Sequence, residues 1–240
     1  MFDAAVLEAI RQHAADEYPR EACGLVISGE YFPCANRSTE PDQAFQIHGS
    51  EFGELSMRGT VQAVVHSHPD GPEYPTALDM RQQLATGVPW GITPVFDGVP
   101  AAPFWWGEGA PVAPLVGRGF RHGVTDCYSL IRDWYRLERG VALPEFPRDW
   151  EWWTSGEDLY RRGFRSAGFR PVPLSEARPG DVFLAQIRSP GPNHGGIYLG
   201  EGLALHHLTA SRGYDPTRLS KREPIHRWQT YITHWLRHEA

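Results

Sequence analysis

Thr125-Asp126-Cys127-Tyr128-Ser129-Leu130-Ile131-Arg132-Asp133-Trp134 opens the second half of a 240-residue chain, and its reading sets the architecture. Thr125 or Asp126 offers a side-chain oxygen to cap a helix. Cys127, Leu130, Ile131, Trp134 and Leu137 or Glu138 then recur at helical spacing, and Gly140 stops the helix. A cysteine in the first turn sits against free N–H groups and the positive end of the helix dipole, which predicts a thiolate there.

Working outward, Trp150 to Phe169 reads as a Trp- and Arg-rich helical region. From Pro179-Gly180-Asp181 the pattern turns to strands over Val182–Ile187, His194–Leu199 and Leu203–Leu208, separated by Gly and Pro as in an antiparallel meander. Tyr231–Trp235 supplies a further strand, because a sheet of roughly six strands needs more material than the meander offers. This half is therefore α+β, a helix first and a sheet after.

The first half has another rhythm. Phe2, Val6, Ile10 and Ala14 make an amphipathic helix, Cys23–Ser28 a short buried strand stopped by Gly29, and Val61–Val65 a strand that runs into His66-Ser67-His68. Thr76 caps a helix from about Ala77 to Leu84, Trp90–Phe96 is a third strand, and residues 100–106 form a last strand or tail. The sum is an α/β pattern over residues 1–106, a Pro- and Gly-rich linker over 107–116, and the α+β domain over 117–240.

Composition agrees with two domains. Hydrophobic residues make up 41% of the chain, enough for a core and too many for a disordered chain. Residues 1–110 carry a net charge of −10 and residues 111–240 a net charge of +4, and Lys221 is the single lysine. The overall charge of −6 argues against nucleic acid as a partner. No apolar run reaches the ~18 residues of a membrane span, and the first residues do not read as an export signal. Three cysteines, Cys23, Cys34 and Cys127, make no disulfide framework.

Two constellations carry chemistry. His66 and His68 are two apart on a strand, so both imidazoles point to one face. With Asp79 on the following helix they form the N,N,O set of a catalytic zinc, which activates a water and polarises a carbonyl. Glu21, ahead of the buried strand, is placed to take that water's proton. The order Glu21, His66-Ser67-His68-Pro69, Thr76, Asp79, together with Tyr18-Pro19-Arg20-Glu21-Ala22-Cys23-Gly24-Leu25, resembles the JAMM (JAB/MPN-type) metallopeptidases. The resemblance implies Zn2+ on His66, His68 and Asp79, Glu21 as general acid/base, and a hydroxyl at position 76 that holds the oxyanion. Here Thr76 stands where the family has Ser.

The second constellation is Cys127 with the histidines of the meander. A thiol nucleophile needs a base within reach, and the base needs a residue to orient it. His194 opens one strand. A three-residue turn at Leu199-Gly200-Glu201 sets His206 opposite it, while a two-residue turn at Gly200-Glu201 sets His207 there. Thr125-Asp126-Cys127-Tyr128, Arg178-Pro179-Gly180-Asp181-Val182, Asn193-His194-Gly195-Gly196-Ile197-Tyr198 and Leu205-His206-His207 together resemble the NlpC-like, papain-related cysteine peptidases, which cut cell-wall peptides. The resemblance implies Cys127 as nucleophile, His194 as base and His206 as third member. Backbone N–H groups at the start of the Cys127 helix are placed to form an oxyanion hole.

A JAMM-like half ahead of an NlpC-like half resembles the tail assembly proteins of long-tailed phages, of the lambda tail protein K type. That resemblance implies a protein made in the host cytoplasm and carried at the virion tail tip, with peptidoglycan peptides and other tail-tip proteins as partners. The cysteine half would open cross-bridges and the zinc half would process a tail component. The competing expectations are a structural tail-tip protein whose sites do not cut, and a bacterial wall-turnover enzyme, which the missing export signal disfavours.

Overall fold

The computed structural model describes residues 1–209 and 213–240. These fall into two compact units, Met1–Pro75 with Arg81–Pro111, and Val112–Ala240 with Thr76–Met80.

In the first unit, α1 (Ala4–Glu17) is capped by Asp3, whose side chain accepts from the Val6 N–H, and buries Val6, Ile10 and Ala14 along one stripe. The elements β1 (Cys23–Ile27), β2 (Glu30–Cys34), α2 (Gly49–Ser56), β3 (Val61–Pro69), α3 (Ala77–Thr86), β4 (Trp90–Phe96), β5 (Val99–Pro100) and β6 (Phe104–Trp106) follow. The sheet order is β2-β1-β3-β4-β5, with β6 also on β4. Only β3 and β4 run parallel, joined through α3, so the sheet is mixed. Its central strands are buried almost throughout, which is why their sequences read as continuous apolar runs.

The second unit contains β7 (Gly119–Arg121), α4 (Cys127–Arg139), α5 (Leu159–Ser166), β8 (Phe169–Pro171), β9 (Val182–Ala185), β10 (His194–Gly200), β11 (Leu203–His206), β12 (Tyr214–Leu219), β13 (Lys221–Pro224) and β14 (Ile232–His238). An antiparallel sheet in the order β13-β11-β10-β9-β14-β8 forms the base, and β12 pairs with β7 apart from it. α4 lays Leu130, Ile131, Trp134 and Tyr135 into a core with Val182, Leu184, Ile197, Leu205 and Leu236 of that sheet. Each fully buried aliphatic side chain contributes about 1.5–3 kcal/mol. β10 lies close on its neighbours because Gly196 has no side chain. A Cβ there would stand 2.5 Å from the Phe183 ring and 2.7 Å from the Leu205 carbonyl.

Two expectations need correction. Residues 150–169 are not one helical region. Trp152–Thr154 is a single 3-10 turn, and α5 begins only at Leu159 with Asp158 as its cap. Gly156, at φ +85°, interrupts the backbone between them. The β10–β11 turn is neither of the two considered. Glu201 and Gly202 both take positive φ in a two-residue turn, and a bulge between Tyr198 and Gly200 shifts the register so that Gly196 faces His206. His206 therefore lies diagonal to His194 rather than opposite it.

Candidate active and metal sites

Cys127 is the first residue of α4. The Asp126 carboxylate caps that helix, accepting from the Ser129 N–H at 2.8 Å and the Gly123 N–H at 2.8 Å. Arg148, itself buried, donates to Asp126 at 2.7 Å and to Glu145 at 2.7 Å. Burial alone would raise the Asp126 carboxyl, but Arg148 and His122 hold it well below the usual carboxylate range. The turn that carries the nucleophile is thus anchored by a satisfied buried ion pair.

Two groups act on the sulfur, and a third lines its cavity. Tyr160 of α5 places its hydroxyl 3.1 Å from Cys127 Sγ. The Gly195 backbone N–H favours the charged form of the same sulfur. His194, the residue before Gly195, lines the same cavity of about 640 Å3. Burial pushes the Cys127 thiol up to about 11, with Asp126 adding to the rise and Tyr160, Gly195 and Arg148 opposing it. Burial thus opposes the thiolate that the helix start favours. Burial and the adjacent Asp126 charge outweigh the donors around the sulfur.

His194 Nε2 and His206 Nδ1 lie 3.3 Å apart, and His206 Nε2 donates to the Glu223 carboxylate. Glu223 also receives Trp228 Nε1–H at 2.9 Å and pairs with Lys221 at 3.2 Å. Burial would raise its carboxyl, yet Lys221, His206 and Trp228 keep it lowered and ionised. The chain of bonds fixes both tautomers. His206 keeps its proton on Nε2 and accepts at Nδ1, so His194 carries its proton on Nε2 and leaves Nδ1 bare. His194 Nδ1 is buried without a hydrogen-bond partner. Burial, followed by the neighbouring His206 and His207, drives the His194 imidazolium well below its ordinary range, so the ring is neutral. His207 takes another course. It bonds the Thr125 carbonyl through Nδ1 and the Arg218 carbonyl through Nε2 at 2.8 Å, tying the start of the Cys127 helix to β12.

Of this machinery, Glu223, Tyr160 and Arg148 were not anticipated from sequence. Glu223 lies 17 residues beyond His206 on a separate strand, and no local spacing marks it.

In the first unit, β3 carries His66 and His68 on one buried face, with their Nε2 atoms 3.0 Å apart. His68 Nδ1 bonds the Pro72 carbonyl at 2.7 Å, which fixes its tautomer with Nε2 as the lone-pair nitrogen. Asp79, on the first turn of α3, completes a group whose ligand atoms lie within 4.8 Å of one another. Two nitrogens bound to one tetrahedral ion at about 2.0–2.1 Å stand roughly 3.3 Å apart, so the buried donor set fits zinc. Glu21 is buried two residues ahead of Cys23, which pairs with His66, so it projects to the same face of the sheet. The Thr76 N–H and hydroxyl both donate to Asp79 Oδ2 at 2.7 Å, so that hydroxyl is engaged with the carboxylate.

Comparison with known proteins gives these geometries a setting. The family model described as NlpC/P60 family matches residues 101–233, and that described as prokaryotic homologs of the JAB domain matches residues 3–106. The chain is 39% identical over 193 residues to the tail tip assembly protein K of Escherichia phage lambda, covering 78% of this chain and 86% of that protein. It is 36% identical over 208 residues to the protein of the same name from Escherichia phage N15, covering 84% of each. A "probable endopeptidase" of Mycobacterium tuberculosis is 32% identical over 108 residues, 45% of this chain and 20% of that one. Among solved structures, the NlpC/p60 domain of the peptidoglycan hydrolase SagA is similar at 19% identity and a TM-score of 0.34, covering 51% of this chain and 89% of that one. With a JAB-type domain leading and a peptidase-family domain following, the chain belongs to the NlpC/P60 family, among the phage tail tip assembly proteins K.

Proposed function

We propose that the chain is a tail-tip hydrolase whose NlpC/P60 half, residues 117–240, is a cysteine endopeptidase acting on peptidoglycan cross-bridge peptides. Cys127 is the nucleophile, His194 the base and His206 the residue that orients it. The observation that carries the reading is the bare, buried Nδ1 of His194 on the wall of the Cys127 cavity, backed by His206 and Glu223. A neutral imidazole held in that tautomer is prepared to accept a proton.

With substrate bound, His194 Nδ1 takes the thiol proton as Sγ forms a bond to the scissile carbonyl carbon. The carbonyl electron pair moves onto its oxygen, where the first N–H groups of α4 stabilise it. Collapse breaks the C–N bond, and the leaving amine takes the proton from His194. His194 then deprotonates a water as its oxygen bonds to the thioester carbon, and collapse breaks the C–S bond, releases the carboxylic acid product and returns the proton from His194 to Sγ. Proton transfer from a neutral thiol suits a pair whose charged forms are both disfavoured by burial.

In the JAMM-like half, residues 1–106, His66, His68 and Asp79 would hold Zn2+, which lowers the pKa of a bound water and polarises a carbonyl. Glu21 would exchange protons beside it, and its substrate is a tail protein cut during assembly. Synthesis in the host cytoplasm and residence at the virion tail tip complete the reading.

Purified chain should release soluble peptides from isolated peptidoglycan, and Cys127→Ala should abolish that release. Equal inertness of both favours a second reading, a structural assembly protein with silent sites. What favours that alternative is the raised thiol, bonded to Tyr160 rather than to His194.

A further inference from the structure

Cys23 and Cys34 carry no role in either site described above. Both are free and both are buried. They stand directly opposite one another, Cys23 at the start of β1 and Cys34 at the end of β2. The hairpin that joins the strands fixes this register. Ser28 and Gly29 take φ +48° and +90° in a two-residue turn, and the ladder runs from Ile27–Glu30 to Cys23–Cys34 without a shift. Residues opposite one another in an antiparallel pair project to one face. Their Cα atoms stand roughly 4.5 or 5.5 Å apart, according to their place in the ladder, and both spacings lie within the roughly 4.4–6.8 Å that a disulfide spans. The strands thus hold the two residues at bonding separation without remaking the ladder.

The sulfurs lie at this junction. Cys23 Sγ donates to the Cys34 carbonyl at 3.6 Å, so it reaches across to the residue that it would join. Cys34 Sγ donates to the Phe32 carbonyl of its own strand at 3.8 Å, a weak sulfur hydrogen bond that side-chain rotation can exchange for another contact. Because β2 is the edge strand of its sheet, Cys34 is the sulfur that a soluble reagent reaches first when the edge frays. Burial, with Glu51 adding to it, pushes the Cys34 thiol up to about 12, so exchange at neutral pH is slow and proceeds through such openings.

The same junction borders the histidine pair. Cys23 is paired on its other side with His66, and Glu21 stands two residues ahead of it. Asn36, two residues past Cys34, donates to the Glu21 carbonyl at 2.9 Å and to the Ala44 carbonyl at 3.1 Å, and Phe45 stacks on the His66 ring with centroids 4.6 Å apart. A covalent tie between residues 23 and 34 fixes both strand ends from which these contacts spring.

We propose that Cys23 and Cys34 form a modification site, a pair of opposed thiols that a small-molecule disulfide such as oxidised glutathione converts into an intrachain disulfide, stapling the hairpin beside His66. The Cys34 thiolate attacks one sulfur of the oxidant, whose S–S bond breaks and releases one glutathione. The Cys23 thiolate then attacks the Cys34 sulfur of the mixed disulfide and releases the second. Two protein thiols are oxidised, the oxidant disulfide is reduced to two thiols, and the two cysteine protons end on the two glutathiones. Such a bridge stays open in a reducing compartment and closes in an oxidising one.

The test uses the full-length folded chain. Protein reduced with dithiothreitol and freed of it is equilibrated with excess oxidised glutathione, blocked with N-ethylmaleimide and digested after glutamate without reduction. Cleavage at Glu21, Glu30 and Glu40 places the two cysteines on separate fragments, 22–30 and 31–40. Mass spectrometry should find these fragments joined and lighter than their sum by two hydrogen atoms, with Cys127 outside the linkage. The bridged chain should melt about 5 °C above the reduced chain, and Cys34→Ala treated alike should show no rise. Reduced and bridged wild-type chains are compared directly, so the outcome does not depend on a variant folding. Maleimide on both cysteines, glutathione retained on either, or linkages shared evenly with Cys127 overturn the proposal, as does a bridge that leaves the melting temperature unchanged.

Discussion

Glu223 accepts the Nε2–H of His206 and thereby turns the other nitrogen of that ring towards His194. Two residues on adjacent strands thus decide the protonation state of a third that neither replaces. Glu223→Gln keeps the shape and removes the charge, so His206 is free to adopt the opposite tautomer. We expect peptide release to fall about 10- to 100-fold with KM little changed, a loss of the size seen when a residue orienting a catalytic group is altered. Undiminished kcat in Glu223→Gln would remove Glu223 from the site.

The Tyr160 hydroxyl hydrogen-bonds the sulfur in a cavity that disfavours charge and favours its ionised form, so its loss should make ionisation harder. In Tyr160→Phe, alkylation of Cys127 by iodoacetamide, followed by mass spectrometry of the Cys127 peptide, should slow at every pH below about 11. Faster alkylation would mean that the phenol only shields the sulfur.

Acid should act on stability through the histidines. His194, His206 and His207 are all lowered, in each case with burial as the largest cause. The unfolded chain therefore binds protons below about pH 6.5 that the folded chain refuses. Stability is complete above that pH and declines as pH falls towards the folded-state values. Melting temperatures at pH 7.5 and pH 5 should differ in that sense, and His194→Asn should shrink the difference. Activity should hold on the acid side of pH 6.5, because the base stays neutral there.

Arg148→Met leaves the Asp126 carboxylate buried without its main partner. Breaking one side of a buried pair costs about 3–5 kcal/mol, and urea denaturation should report it. Asp126→Asn combined with Arg148→Met should recover part of the loss, since the uncompensated charge is gone. A strictly additive double variant would show that the two residues act independently.

Metal analysis addresses the first unit. The wild-type chain should hold about one zinc ion, and His66→Ala or His68→Ala should lose it and lower the melting temperature. Thr76→Ser should retain the metal, because a serine hydroxyl can still donate to Asp79. Zinc content independent of both histidines would place the ion elsewhere.

Much of this was legible in the residues. α4 runs from Cys127 to Arg139 and ends at Gly140, as its cap, spacing and stop imply, and β14 joins the sheet near the Tyr231–Trp235 run. The His66–His68 pair shares a face because strand geometry leaves it no alternative. What escaped depends on contacts between distant segments. A bulge, which no composition marks, set the β10–β11 register. Glu223 and Arg148 reach the site from other elements, and the thiol's resting state depends on how deeply it is enclosed, which spacing does not encode. Trp150–Phe169 misled because aromatic density resembles helical periodicity while Gly156 cuts the backbone.

Gly196 carries a last consequence. No atom beyond its backbone fits between the Phe183 ring and the Leu205 carbonyl, so the strand bearing His194 has no spare volume in which to drift. The imidazole owes its station to steric exclusion as much as to its polar neighbours. Redesign of the pocket for another substrate is therefore better directed at the rim, where loops can yield, than at the floor, where a single methyl group would displace the base.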